Sequence, residues 1–182
     1  MVSRAAAIRH IFKHRRLPLF WGLAIAALTL PWITNSGNVG TADTRACTVN
    51  SVYDGDTMRV TCGGQRMKLR LYCIDTPEMQ QRPWGTESRD YLRQMAPSGS
   101  VVQVKGRKKD RYGRLIAEVY AQNVNLNFKM VQDGQAAEYD QYCRDRTYRR
   151  AEQAAQAAGT GIWSKPGLHQ TPWEWRHRKR NK

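Results

Sequence analysis

Between residues 47 and 168 the chain has no histidine; its four histidines are His10, His14, His169 and His177. A serine or cysteine hydrolase that needs an imidazole base has none in that stretch. A histidine-ligated zinc centre is disfavoured for the same reason. The four cysteines, Cys47, Cys62, Cys73 and Cys143, form no C-x-x-C pair, which argues against a cysteine zinc site. No P-loop and no dinucleotide-binding glycine pattern is present. Acidic residues are scarce: 15 Asp and Glu stand against 30 Lys and Arg, a net charge of +15. None precedes Asp43. Setting aside residues 1–45, with six basic residues and Asp43, leaves 24 basic and 14 acidic residues, a net +10. The excess therefore belongs to the main body as well as to the leader. It favours anionic partners, nucleic acid or an anionic membrane surface, although solubility alone would also accommodate it.

The N-terminus carries Arg4, Arg9, Lys13, Arg15 and Arg16, followed by an uncharged, mostly apolar run over 17–34. Positive flank first and apolar run second is the order of a signal peptide or a membrane anchor. The run is near the lower length limit for spanning a bilayer, with the basic end kept on the cytoplasmic side. Residues 1–34 are expected to be that signal or anchor helix, and 35–46 a linker. The remainder leaves room for one domain of roughly 120–130 residues. An even cysteine number behind an export-like leader suggests two disulfides, with free thiols the alternative. Cys47 and Cys62 flank a hairpin centred near Gly55. Pairing them, and Cys73 with Cys143, is the preferred choice among three connectivities.

From Cys47 onward the texture is that of short strands: CTVNSVY, TMRVTC, RMKLRLYCI, VVQVKG and LIAEVYAQ. Helices are expected over 85–95, over 125–133 before Gly134, and over 146–158 before Gly159. Five short strands with interspersed helices imply an α+β, mainly β fold: a five-stranded OB-fold barrel with about three helices. The end, 165–182, reads as a basic, Trp-containing tail, with Trp173 and Trp175, that is mobile at its terminus.

What chemistry remains is that of carboxylates, arginines and tyrosines. Asp54-Gly55-Asp56 sits between two strands, and Asp75-Thr76-Pro77-Glu78 follows another. On an extended chain Asp54 and Asp56 would share a face. Two strand-end carboxylates, a carbonyl and waters suit a hard, oxygen-preferring cation. Asp-Gly-Asp is also an ordinary turn, and the Asp75 stretch an ordinary helix start. Neither is an EF-hand, since the later ligand positions are missing. Arg70, placed on the same strand as Asp75, and Arg114, closing the turn Asp110-Arg111-Tyr112-Gly113-Arg114, offer guanidinium donors for phosphate oxygens. Glu78 can orient or deprotonate water. Tyr112 can stack on a base or bond a phosphate.

Taken in order, VYDGDT, RLYCIDTPE, GTES, DRYGR and GIWS resemble the thermonuclease, or staphylococcal nuclease-like, family over roughly residues 47–164. The resemblance implies calcium-dependent, sugar-nonspecific hydrolysis of single- and double-stranded DNA and of RNA, leaving 3′-phosphate ends. It implies Asp56, Asp75 and the Thr76 carbonyl as calcium ligands, with Asp54 beside them. It implies Arg70 and Arg114 as phosphate clamps, Glu78 as the residue serving the water, and Arg111 and Tyr112 near the nucleotide. The loop from Glu78 to Gly85 is shorter than in the best-known member, and position 111 is Arg where that member has Lys. The base-stacking tyrosine after Gly134 is Tyr139 or Tyr142. The expected protein is a monomer, exported, and either secreted or held to the inner membrane by an uncleaved leader, facing the periplasm. The competing readings are a non-catalytic OB-fold module that binds nucleic acid at the cell envelope, and an envelope protein whose basic tail binds anionic lipid or a protein.

Overall fold

A computed structural model describes residues 44–165 and 171–181 of the chain. The leader expected over 1–34 and the linker up to residue 43 lie outside the described residues. Among the described residues no helix is long and apolar enough to cross a membrane.

Three strands come first: β1 (Thr44–Val52), β2 (Thr57–Cys62) and β3 (Gln65–Leu71). Two-residue β4 (Ile74–Asp75) and helix α1 (Trp84–Met95) follow. Then come β5 (Val101–Lys109), β6 (Leu115–Ala121), the short β7 (Val124–Asn125) and α2 (Leu126–Gln132). The chain ends with β8 (Ala137–Glu138), α3 (Arg146–Ala158), a 3₁₀ turn at Gly161–Trp163 and α4 (Pro172–Arg180).

β1 pairs with β2 and β5, β2 with β3, and β5 with β6, all antiparallel. β3 lies parallel to β6 and closes a five-stranded barrel of OB-fold type. Inward positions are apolar and buried: Val49, Val60, Leu69, Val102, Val104, Ala117 and Val119. A bulge in β1 between Val49 and Ser51 leaves Asn50 and Ser51 outside and returns Val52 to the core.

The seam between β3 and β6 is locked by Asn127, which is buried on α2. Its Nδ2 donates to the Tyr72 and Ala117 carbonyls at 2.9 and 3.0 Å, while its Oδ1 accepts from Val119 N at 3.0 Å. α2 and α3 are capped by Asn125 and Asp145, whose side chains accept from Phe128 N and Thr147 N.

Disulfides join Cys47 to Cys62, directly opposite each other on β1 and β2, and Cys73 to Cys143. The second closes a sequence separation of 70 residues. Loop-closure entropy gives such a bond about 4 kcal/mol of stabilisation. It fixes the corner after β3 against the segment leading into α3.

Four features depart from the sequence expectations. β1 begins at Thr44, so 44–46 are strand and not linker. RMKLRLYCI is not one strand: β3 stops at Leu71, and Cys73 takes a positive φ of 67°. Asp75 therefore sits in β4, which pairs with β8, and not on the strand of Arg70. Among the described residues the helices number four and not three, because the basic C-terminal tail contains α4. Pro172 opens that helix and the Thr171 hydroxyl bonds Glu174 at 2.6 Å. Basic residues occupy its last turn, where they complement the helix dipole.

Candidate active site

The turn between β1 and β2 is tight, with Tyr53 N donating to the Thr57 carbonyl at 2.9 Å. Asp54 and Asp56 do not share an extended face, as the sequence spacing suggested. The Asp54 side chain folds back to accept from Asp56 N at 3.0 Å. Asp56 points into the protein and is 6% exposed. Its Oδ1 accepts from Thr57 Oγ1 at 3.0 Å; its Oδ2 accepts from Thr76 N at 3.2 Å and Thr76 Oγ1 at 2.9 Å. These bonds bring the two acidic stretches together across 20 residues of sequence. Gly55 makes the approach possible. A Cβ there would stand 1.9 Å from Ser88 Oγ on α1 and 2.9 Å from Thr76 Cγ2. The Ser88 hydroxyl is itself buried and has no hydrogen-bond partner among the described residues.

Arg70 lies at the centre. Its Nη1 donates to the Leu71 and Ile74 carbonyls at 2.9 and 2.8 Å, which braces the corner around Cys73. That corner swings Asp75 back toward β3. Arg70 Nη2 then stands 3.2 Å from Asp56 Oδ2 and 3.4 Å from Asp75 Oδ1. One guanidinium thus bridges two buried carboxylates. Burial raises the Asp75 pKa, with the Asp56 charge adding and Arg176 and Arg70 opposing. Burial, and then the Asp56 charge, push the Asp54 carboxyl up to about 7.

Glu78 starts a turn in which its N–H donates to Gln81 Oε1 at 2.7 Å. Gly85 lets α1 press against that turn, since a Cβ at 85 would meet the Glu78 carbonyl oxygen at 2.2 Å. The Glu78 carboxylate is held by Arg176 of α4, Nη1 to Oε1 at 3.0 Å. The same guanidinium grips Asp75, Nη1 to Oδ1 at 3.2 Å and Nη2 to Oδ2 at 2.5 Å. Sequence reasoning missed Arg176. Its only signal was a basic run after Trp175, and nothing in that run selects one arginine over its neighbours.

The turn before β6 is organised by Asp110. Its Oδ1 accepts from Tyr112 N and Arg114 N, both at 2.9 Å, and its Oδ2 from Arg114 Nε at 2.7 Å. The two terminal amino groups of Arg114 remain for a ligand. Tyr112 is exposed, with the Arg111 guanidinium 4.8 Å from its ring. A cavity of about 720 Å³ is lined by Arg70, Arg111, Tyr112, Arg114, Tyr139 and Tyr142, among others. Tyr139 and Tyr142 meet edge to face at 4.8 Å, so both tyrosine candidates border the same space. Asp56, Asp75 and Thr76 do not line the cavity. They adjoin it through Arg70, which touches both sides.

The donor set fits a hard cation: two buried carboxylates and the carbonyl of Thr76, all oxygen. Among the described residues no group of three or more His, Cys, Asp or Glu side chains is placed to hold a metal ion. Such a site would draw its remaining ligands from carbonyl and water. Arg70 and Arg114 both line the cavity, where guanidinium groups suit an anion.

Comparison with known proteins places the chain in context. A family model described as staphylococcal nuclease homologue matches residues 68–165. An uncharacterized endonuclease of Haemophilus influenzae is 37% identical over 135 residues, 74% of each chain. A second of that name, from Escherichia coli O157:H7, is 37% identical over 129 residues, 70% of this chain and 82% of its own. A micrococcal nuclease of Shigella flexneri is 36% identical over 141 residues, 71% of this chain and 79% of its own.

Proposed function

The chain belongs to the family of staphylococcal nuclease homologues, a family of nucleases, and from that premise we propose that it is a calcium-dependent, sugar-nonspecific endonuclease that hydrolyses DNA and RNA to leave 3′-phosphate ends. The observation that carries this reading is the guanidinium of Arg70 set between Asp56 and Asp75 at the edge of a cavity shared with Arg114. Asp56, Asp75 and the Thr76 carbonyl would hold the cation. When bound there, calcium would supply Lewis acidity toward the phosphoryl group. Thr57 and Thr76 fix the orientation of the Asp56 carboxylate, and Asp54 steadies its backbone.

Arg70 and Arg114 bind the phosphate from the cavity side. Negative charge on the phosphoryl oxygens grows toward the transition state, so fixed guanidinium donors stabilise it most at that point. Glu78 takes the proton of the attacking water or orients it. Arg111 and Tyr112, with Tyr139 and Tyr142, border the space for a nucleotide. These contacts address phosphate and ring faces, so strong base specificity is not expected. The two disulfides favour an oxidising compartment, which supports export.

The test is analysis of product ends. End-labelled DNA and RNA oligonucleotides incubated with the protein and calcium should yield fragments carrying 3′-phosphate. Intact oligonucleotides, or 5′-phosphate ends, would refute the proposed reaction.

A further inference from the structure

Helix α4 lies beyond the residues matched by the family, yet it reaches the centre of the site. Its Arg176 binds both oxygens of Asp75, at 3.2 and 2.5 Å, and Glu78 Oε1 at 3.0 Å. A second contact runs from Lys179 to Gln80. Pro172 is the helix's one buried residue, Glu174, Trp175 and Arg176 are half-buried, and Trp173, Arg178 and Arg180 are exposed. Its polar attachment to the site is ionic, made by one guanidinium on two carboxylates that the proposed reaction needs.

We propose that α4 is a cation-displaceable plug, in which Arg176 competes with the divalent cation for Asp75 and withholds Glu78 from the attacking water. The proposal rests on the reading of Asp56 and Asp75 as the cation's carboxylates. Calcium takes carboxylate oxygens at about 2.3–2.6 Å. A guanidinium nitrogen 2.5 Å from Asp75 Oδ2 occupies that oxygen's inner contact. A guanidinium and a divalent cation on one carboxylate also repel each other, most strongly where water is scarce. Asp75 is 2% exposed. Arg70 differs from Arg176 in this respect. It is tied to two backbone carbonyls of its own corner, whereas Arg176 arrives on a separate helix with no such tie. Competition is reciprocal: if docking of α4 weakens cation binding by some factor, cation binding loosens α4 by the same factor. Released, the helix would present Arg176, Arg178, Lys179 and Arg180 beside the site as a basic arm for nucleic-acid phosphates.

The experiment uses the full-length protein titrated with calcium chloride by calorimetry, alongside Arg176→Ala, Arg176→Gln and Asp56→Ala. Both Arg176 variants should bind calcium roughly tenfold or more tightly than the wild type, within the usual range of such couplings. In the wild type, hydrogen exchange of the backbone amides of 172–180 should speed up when calcium is added, and return on chelation. Calcium affinity equal to or weaker than wild type in the Arg176 variants would overturn the plug and leave Arg176 a positioning residue. Calcium-insensitive exchange in α4 would overturn it equally. The Asp56→Ala arm separates the two layers. If wild type binds no calcium, or if Asp56→Ala binds it unchanged, the cation site itself fails and the plug falls with it.

Discussion

Arg70→Ala should lower the rate of phosphodiester cleavage by about two orders of magnitude or more, because it removes a donor aimed at charge that grows in the transition state. Arg114→Ala should act in the same direction. Arg70 has a second role, which makes its variant the more severe. It is the counter-charge between Asp56 and Asp75, whose side chains are 9% and 3% exposed. Removing one partner of a buried ion pair costs about 3–5 kcal/mol. The corner at Leu71–Ile74 would lose its brace as well. Arg70→Lys keeps the charge but cannot reproduce the fork that reaches two carbonyls and two carboxylates. It should regain part of the stability and little of the rate. Turnover and the urea unfolding midpoint, measured on both variants, separate the roles. Wild-type turnover in Arg70→Ala would remove the clamp from the mechanism.

Asp56→Ala should abolish calcium-dependent cleavage. The carboxylate is buried, oriented by three hydroxyl or amide donors, and shares the Arg70 guanidinium with buried Asp75. Asp54 is not placed to replace it, because its side chain folds back on its own turn to accept from Asp56 N. Asp56→Asn keeps most of the hydrogen-bonding shape without the charge, so it tests charge against structure. It should fold with a lowered midpoint, since Arg70 keeps Asp75 as its remaining carboxylate, and still fail to respond to calcium. An unchanged calcium titration in either variant would refute the ligand assignment.

Much of this was legible in the sequence, and the reasons are local. Alternating apolar residues in TMRVTC and VVQVKG fix which face of each strand is buried. Five such runs give the barrel. Caps and glycines place α2 and α3 within a residue or two of expectation, and α1 falls as close without a side-chain cap. The corner at Cys73 was not legible. Tyr72 and Cys73 look like strand residues, and the turn there is held by partners mostly distant in sequence: the disulfide, the Asn127 bonds, the Arg70 brace and the Tyr139 N–H to the Cys73 carbonyl. That turn decides the site, since a straight strand would carry Asp75 away from Arg70.

The position of Arg176 was hidden for a different reason. It lies 101 residues from Asp75 in sequence, and its partnership depends on where a nine-residue helix docks. Local pattern can suggest a helix after Thr171-Pro172, but it cannot say which carboxylates the helix will meet.

The most direct test of the central claim is cleavage of single-stranded DNA by the full-length protein, followed while calcium is added and then chelated. Cleavage that starts with calcium, stops with chelator and restarts when calcium is restored is the predicted result. Cleavage that continues undiminished in excess chelator would show that Asp56 and Asp75 serve no cation in the reaction, and would contradict the account.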